Sequence, residues 1–402
     1  MLDAVVAARG ASVSEAFRAI SAQHRDRCAL EADDLRLTYD ELDRRSNRVA
    51  HALLSEDGDD RPLAMIAPLA PESVVVMLGA LKAGRRFAPL DPRDPPDRIR
   101  LAVAHLGARL IAGLHELASG RDDDPQVPVS PDHPALVYFT SGSAGRATGL
   151  VRNHSYLSYA TVGFGFTSSD RAGAILPLAF GGSVSSVFGP LMAGGTACFF
   201  DPITRSIGSL AEWIEAAGIT FFQTSPSTLQ AVAAALAARA RTAPAVRLVV
   251  IGGEPCEGRQ LEVARRVLPR ATIANHYGAT EASFIAVTRI APGDPLDPGP
   301  MPFRELYPDQ TVTIVDETGR EVPRGDMGEI RVSSARVALG YCGAPPDNGR
   351  EFVEEGAGRR SIQLRDRGRL HAGGTLELLG RTDLRVKVHG QAVDLEAVER
   401  AL

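Results

Sequence analysis

The chain has 402 residues, 44% of them hydrophobic and 23% charged, with a formal net charge of -5. Such a length exceeds one ordinary domain and predicts two or three subdomains, while the mildly acidic balance offers no basic face for nucleic acid and points to small-molecule partners. The opening MLDAVVAARGASVSEAF lacks a basic n-region, and no window approaches the roughly 18 apolar residues of a membrane span, so the reading is a cytoplasmic protein with no membrane partner. In chain order, LAMIAP (63–68) and RFAPLD (86–91) read as strands on either side of the helix-like SVVVMLGALKAG (73–84), with DRIRLAVAHLGA (97–108) as the next helix. The acidic, proline-containing GRDDDPQVPVSPDHP (120–134) reads as a surface connector. Further on, AGAILPL, GTACFF, ITFFQTS and VRLVVIGG read as strands, and SLAEWIEAAG and SPSTLQAVAAALAARAR as the helices between them. The alternation predicts an α/β fold of two layered lobes with largely parallel sheet. After NHYGAT the texture changes to TVTIVDETGREVP, GEIRVSS and GTLELLG, short alternating strands between Gly, Pro and Asp turns, which predict a small distorted β-barrel or antiparallel unit from about residue 297. Cys28, Cys198, Cys256 and Cys342 are scattered without a CxxC pair, which indicates neither a zinc site nor a disulfide framework.

The stretch TSGSAG, which follows the apolar ALVYF, combines hydroxyls with glycine backbone in the manner of a loop that cradles phosphate oxygens. It is neither GxxxxGK[ST] nor GxGxxG, and by itself a flexible Ser/Gly turn is the better reading. Its context carries more. LTYDEL (37–42), LKAGRRFAPLDPRDPPDRI (81–99), FTSGSAGRATGL (139–150), NHYGATEA (275–282), GEIRVSSARVALGY (328–341), LRDRGRL (364–370) and GRTDLRVKVHGQAVDLEAVE (380–399) occur in that order. Together they resemble the core motifs of the adenylate-forming superfamily, most closely the adenylation domains of nonribosomal peptide synthetases.

The resemblance implies that family's large N-terminal portion: two α/β lobes over residues 1–297, a small β subdomain over 298–383, and the hinge and start of a C-terminal domain over 384–402. It implies attack of a carboxylate on the α-phosphate of ATP with Mg²⁺, giving an acyl-adenylate and pyrophosphate, a step that needs positioning and charge neutralisation more than a base. Residue by residue, Thr140, Ser141, Gly142, Ser143 and Gly145 would hold phosphates, Thr280 a phosphate oxygen, and Glu281 the metal. Tyr277 would stack on adenine with Gly252 and Gly253 against the opposite ring face, Asn275 would meet the adenine amino edge, and Asp366 and Arg381 the ribose. Asp383 falls at the hinge, beyond which family members carry a catalytic lysine on a further domain.

The sequence departs from the family pattern in three places. Leu364 and Arg365 stand where Thr and Gly precede the ribose aspartate, and Ala147 and Thr148 replace a Pro-Lys pair, a loss of charge worth about 1.5–3 kcal/mol that Arg146 or Arg152 is expected to offset. Gly181 stands where α-amino-acid-activating relatives place an aspartate, after Phe180 in LAFGGSVSSVFG (178–189). The implied acyl pocket comprises Phe180, Gly181, Gly182, Ser185, Gln223, Val250, Gly252, His276, Phe284 and Ile285, and the expected substrate is an acid without an α-ammonium group that carries a polar substituent. His276 and Gln223 read equally as residues that satisfy buried backbone groups. The implied acceptor is a carrier-protein thiol; an acyl-CoA ligase, or a degenerate domain that binds nucleotide without turnover, are the competing readings.

Overall fold

A computed structural model describes residues 11–33, 35–56, 60–113, 117, 120–141, 147–158, 163–342, 352–382, 385–388 and 391–394. Its largest sheet has nine strands in the order Glu305–Leu306, Ser283–Ile290, Thr272–Ala279, Leu248–Gly252, Phe221–Thr224, Arg171–Ala174, Thr196–Phe199, Cys28–Ala32, Leu35–Thr38. The six strands from Thr272–Ala279 to Cys28–Ala32 pair in parallel, and the antiparallel pairs lie at the two ends. A six-stranded sheet runs Gly340–Cys342, Ala147–Asn153, Pro134–Ser141, Phe87–Leu90, Leu63–Ile66, Arg109–Ile111. A third, five-stranded antiparallel sheet is built from Thr311–Val315, Met327–Ser334, Arg359–Leu370, Val353–Gly356 and Leu376–Arg381. The strands and helices read from apolar periodicity are all present, within a few residues of their predicted ends.

The helix Pro71–Lys82 explains why the first two sheets form one body. Its sequence is apolar on every side, and all its residues except Glu72 are buried, as such a helix requires. A single core packs its Val74–Leu81 segment with Leu30, Ala197 and Phe199 of the nine-stranded sheet and with Leu63, Met65, Phe87 and Leu136 of the six-stranded one. The helix ends on Lys82, which is 4% exposed and donates to Asp43 Oδ1 and Asn47 Oδ1, each at 2.7 Å, while lying over the Phe17 ring. That ammonium therefore ties together three helices, Val13–Gln23, Tyr39–Leu54 and Pro71–Lys82.

Chain order and layer order differ in ways that the linear pattern does not display. Cys28–Ala32 and Leu35–Thr38, near the start of the described chain, complete the sheet of the second lobe. The nine-stranded sheet continues past the expected boundary at 297, because Glu305–Leu306 pairs with Ser283–Ile290, and Gly340–Cys342 crosses back to pair with Ala147–Asn153. The third sheet alternates buried and exposed residues, and its inward face (Val312, Ile314, Ile330, Val332, Ile362, Leu364, Leu376) packs on Tyr277 and Ile285 of the hairpin beside it. Leu364, the departure from the family's threonine, is thus a core residue.

Removing the counter-charge of a buried ammonium is costly. Asp43→Ala is expected to lower stability by about 3 kcal/mol in urea unfolding, and Lys82→Met with Asp43→Leu to recover most of that loss, because the pair is then replaced and not broken.

Candidate active site

Strands Thr272–Ala279 and Ser283–Ile290 form a hairpin whose apex is Thr280, Glu281 and Ala282. Ala282 N–H donates to Ala279 C=O at 3.1 Å and Ser283 adopts φ 63°, the geometry of a three-residue turn closed by a left-handed residue. Gly278 is required beside it, since a Cβ there would stand 2.5 Å from Ser283 O. The turn leaves Thr280 exposed and Glu281 half-buried. Two other segments hold it: the Arg152 guanidinium donates to Thr280 C=O, and from one stretch Ala338 N–H donates to Glu281 C=O at 2.9 Å and the Tyr341 hydroxyl lies 3.4 Å from Glu281 Oε1.

Successive residues of a strand face opposite ways, and here the two faces carry different chemistry. On one, Tyr277 donates its hydroxyl to Asp366 Oδ2 at 2.8 Å, and Arg381 Nη1 donates to Asp366 Oδ1 at 2.8 Å from its place opposite Asp366 in the third sheet. Burial, reinforced by the Asp366 carboxylate, pushes the Tyr277 hydroxyl far above the usual phenol range, so it stays protonated and donates. Asn275 is 2% exposed, and its Oδ1 has no partner among the described residues. Gly252 pairs with His276, and a Cβ on it would lie 2.6 Å from His276 O; Gly253 follows at φ 82°.

The other face is aromatic. His276 stacks on Phe164 (5.7 Å, 20°), meets the edge of Phe284 at 4.9 Å, and hydrogen-bonds through Nδ1 to the Tyr307 hydroxyl at 3.1 Å. Burial, with a smaller contribution from Arg289, lowers its pKa to about 3, so the imidazole is neutral. Gln223, Val250 and Ala274 are register partners across three strands and share this face with Gly252 and His276. The Gln223 amide packs against Gly182, with Nε2 2.9 Å from where a Cβ would sit, while its Oε1 is buried without a partner among the described residues. Phe180 also crowds Gly182 and is 46% exposed; Ser185 is buried in the helix that follows. Gly181 has room for a side chain, its nearest neighbours being the Tyr138 ring at 3.6 Å and the Tyr156 hydroxyl at 3.7 Å.

Two expectations need correction. Ile285 does not join Phe284 and His276. The register shifts after Tyr277, and Ile285 packs with Tyr277 and Phe303 in the core of the third sheet. Arg152 is not presented as a phosphate contact: it is 2% exposed and its terminal nitrogens bond to the carbonyls of Thr280 and Arg336. Thr140 and Ser141 end the strand before the expected phosphate loop, opposite Thr148 and Ala147, and Thr148 is buried. Gly142, Ser143, Gly145 and Arg146 lie outside the described residues, as does Asp383.

The family model for "AMP-binding enzyme" matches residues 17–342. The chain belongs to that family. Within it, the chain is 28% identical over 410 residues to the dimodular nonribosomal peptide synthase of Bacillus subtilis, a match that covers 94% of this chain and 17% of the synthase. Among solved structures, FmoA3, a nonribosomal peptide synthetase bound to α-methyl-L-serine-AMP, superposes with a TM-score of 0.84 at 27% identity, over 93% of this chain and 45% of that one. The N-terminal subdomain of Klebsiella oxytoca NpsA with 3-hydroxybenzoyl-AMSN shares the fold (TM-score 0.79, 23% identity), over 92% of this chain and all of that one. This AMP-binding enzyme is therefore homologous to adenylation domains and is of the adenylate-forming ligase class, with the two-lobed α/β architecture that its motifs implied. No helix among its described residues is long and apolar enough to cross a membrane.

The motif reading did not single out Tyr307, Tyr138, Tyr156 and Tyr341, whose placements depend on pairing between distant segments; only Tyr341 and Tyr138 border quoted motifs. His276 and the equally buried His154, whose pKa burial and His133 also lower to about 3, bind a proton in the unfolded chain near pH 6.5 and in the folded one only near 3. The unfolded state then holds more protons, so stability falls as pH drops through 6.5, by about 1.4 kcal/mol per histidine at pH 5.5. Urea unfolding at pH 8 and 5.5 should show this loss, and His154→Leu should halve the part due to the pair.

Proposed function

We propose that this enzyme activates a carboxylic acid as its adenylate at the expense of ATP, releases pyrophosphate, and hands the acyl group to a carrier-protein thiol. The observation that carries the reading is the hairpin itself, which brings Asn275, Tyr277, Thr280 and Glu281 together along one edge and joins Tyr277 to Asp366 and Arg381. The unpartnered Asn275 Oδ1 suits the adenine amino group, and a carboxylate flanked by an arginine suits ribose hydroxyls, to which Asp366 accepts and Arg381 donates. Thr280, exposed at the apex, offers its hydroxyl to a phosphate oxygen.

Among the described residues no three His, Cys, Asp or Glu side chains gather as a metal cage. A half-buried carboxylate beside an exposed hydroxyl nevertheless fits magnesium, which takes one or two carboxylates and completes its shell with phosphate oxygens and water. Glu281 would hold that ion, whose chemistry is to neutralise charge on the triphosphate. Glu281→Gln is expected to reduce Mg·ATP use at least about tenfold in ATP–pyrophosphate exchange. Unchanged exchange in that variant would remove Glu281 from the metal site.

The acid is read from the aromatic face. FmoA3 binds an amino-acid adenylate and NpsA an aryl analogue, so the shared fold is compatible with either class. This chain places Gly181 between Tyr138 and Tyr156, holds His276 neutral, and leaves the Gln223 Oε1 acceptor open. An ammonium would find no counter-charge among these groups, whereas a hydroxyl or aryl amine could donate to Gln223. The substrate proposed is an aryl or hydroxy acid with such a donor. Gly181→Asp, which has room for its Cβ, is expected to cut exchange with such acids about tenfold or more by burying a carboxylate against two phenol rings. Wild-type exchange that is strong with a proteinogenic amino acid and absent with aryl and hydroxy acids would overturn the choice.

A further inference from the structure

Arg152 is a buried cation with unusual partners. It is 2% exposed and lies on the strand that returns from the phosphate loop, opposite Leu136 in the six-stranded sheet. Its terminal nitrogens donate to the main-chain carbonyls of Thr280 and Arg336, its guanidinium carbon lies 4.3 Å from the centre of the Tyr156 ring, and no carboxylate among the described residues is paired with it. Burial pulls the guanidinium below the usual arginine range; Tyr156 and then the Glu281 carboxylate oppose that pull.

Both carbonyls matter to the same turn. Thr280 C=O belongs to the hairpin apex, and Arg336 lies two residues before Ala338, whose N–H holds Glu281 C=O. Arg336 is fixed in turn by a buried ion pair to Asp309 at 3.0 Å and by the face of Tyr307, which hydrogen-bonds to His276. A bare methylene chain would leave the two carbonyls without this donor, that of Arg336 in a buried position, and an ammonium has no planar fork with which to span them.

We infer that Arg152 is a positioning residue: its guanidinium bridges the Thr280 and Arg336 carbonyls and so sets the Thr280–Glu281 turn against the strand of the phosphate loop, in the orientation that Mg·ATP requires. The inference rests on the nucleotide reading above and extends it to a residue that touches neither phosphate nor metal. It predicts that losing the fork injures the metal-dependent part of nucleotide affinity and spares the metal-independent part, since Asn275, Tyr277 and Asp366 do not depend on Arg152 for their contacts.

The test is calorimetric binding of adenosine 5′-(β,γ-imido)triphosphate to the 402-residue chain, wild type, Arg152→Lys and Arg152→Met, in excess Mg²⁺ and in EDTA, alongside thermal melts. Arg152→Met is expected to weaken binding about tenfold or more in Mg²⁺, the scale of a lost charge-assisted hydrogen bond, and to change it less than about twofold in EDTA. Arg152→Lys should fall between Met and wild type. If Arg152→Met does not fold, Arg152→Lys carries the test, because it keeps the buried charge while losing the fork. Folded variants with the wild-type ratio of Mg²⁺ to EDTA affinities overturn the positioning role even if they melt earlier. A wild-type chain whose binding is the same with and without Mg²⁺ overturns the metal reading, and this inference with it.

Discussion

A β-strand sends successive side chains to opposite faces of its sheet, and the organisation of this site follows from that constraint on Thr272–Ala279. His276 looks onto the aromatic chamber of Phe164, Phe284 and Tyr307, while Asn275 and Tyr277 on either side of it face the other way, where Tyr277 meets Asp366. One short strand therefore serves two chambers whose chemistry differs. The arrangement depends on close backbone approach: Gly252 admits the His276 carbonyl and Gly278 admits that of Ser283, and in each case a methyl group would force the strands apart.

The apex of this hairpin projects beyond the ladder, where main-chain carbonyls have no strand to bond with. Thr280 C=O is met by Arg152 and Glu281 C=O by Ala338, so segments that are far apart in sequence complete a turn that could not satisfy itself. The partners come from the six-stranded sheet and from the segment leading to its edge strand, Gly340–Cys342. Because that edge strand pairs with Ala147–Asn153, the same crossing that breaks the simple domain order also brings Tyr341 to Glu281. The anatomy of the sheets and the geometry of the site are one fact.

The aromatic chamber is polar without being charged. Burial keeps His276 neutral, and the Gln223 acceptor is left open, so the chamber rewards a hydrogen-bond donor and penalises an unpaired ion. Tyr138 and Tyr156 flank Gly181, and the Arg152 guanidinium lies 4.3 Å from the centre of the Tyr156 ring.

The sequence by itself determined the α/β class, the strands and helices of both lobes and the family. Apolar periodicity and turn residues act over a few positions, and the motifs TSGSAG and NHYGATE are contiguous. It also singled out Asn275, Tyr277, Glu281, Asp366 and Arg381, each embedded in such a motif, and the structure gathers them around one hairpin. What only tertiary structure decided were matters of register and burial. A one-residue shift after Tyr277 sent Ile285 to the core of the third sheet; Arg152 spent its guanidinium on carbonyls and not on phosphate; and the N-terminal strands closed the sheet of the second lobe. The last two outcomes depend on hydrogen bonds between residues more than a hundred positions apart, about which local pattern carries no information.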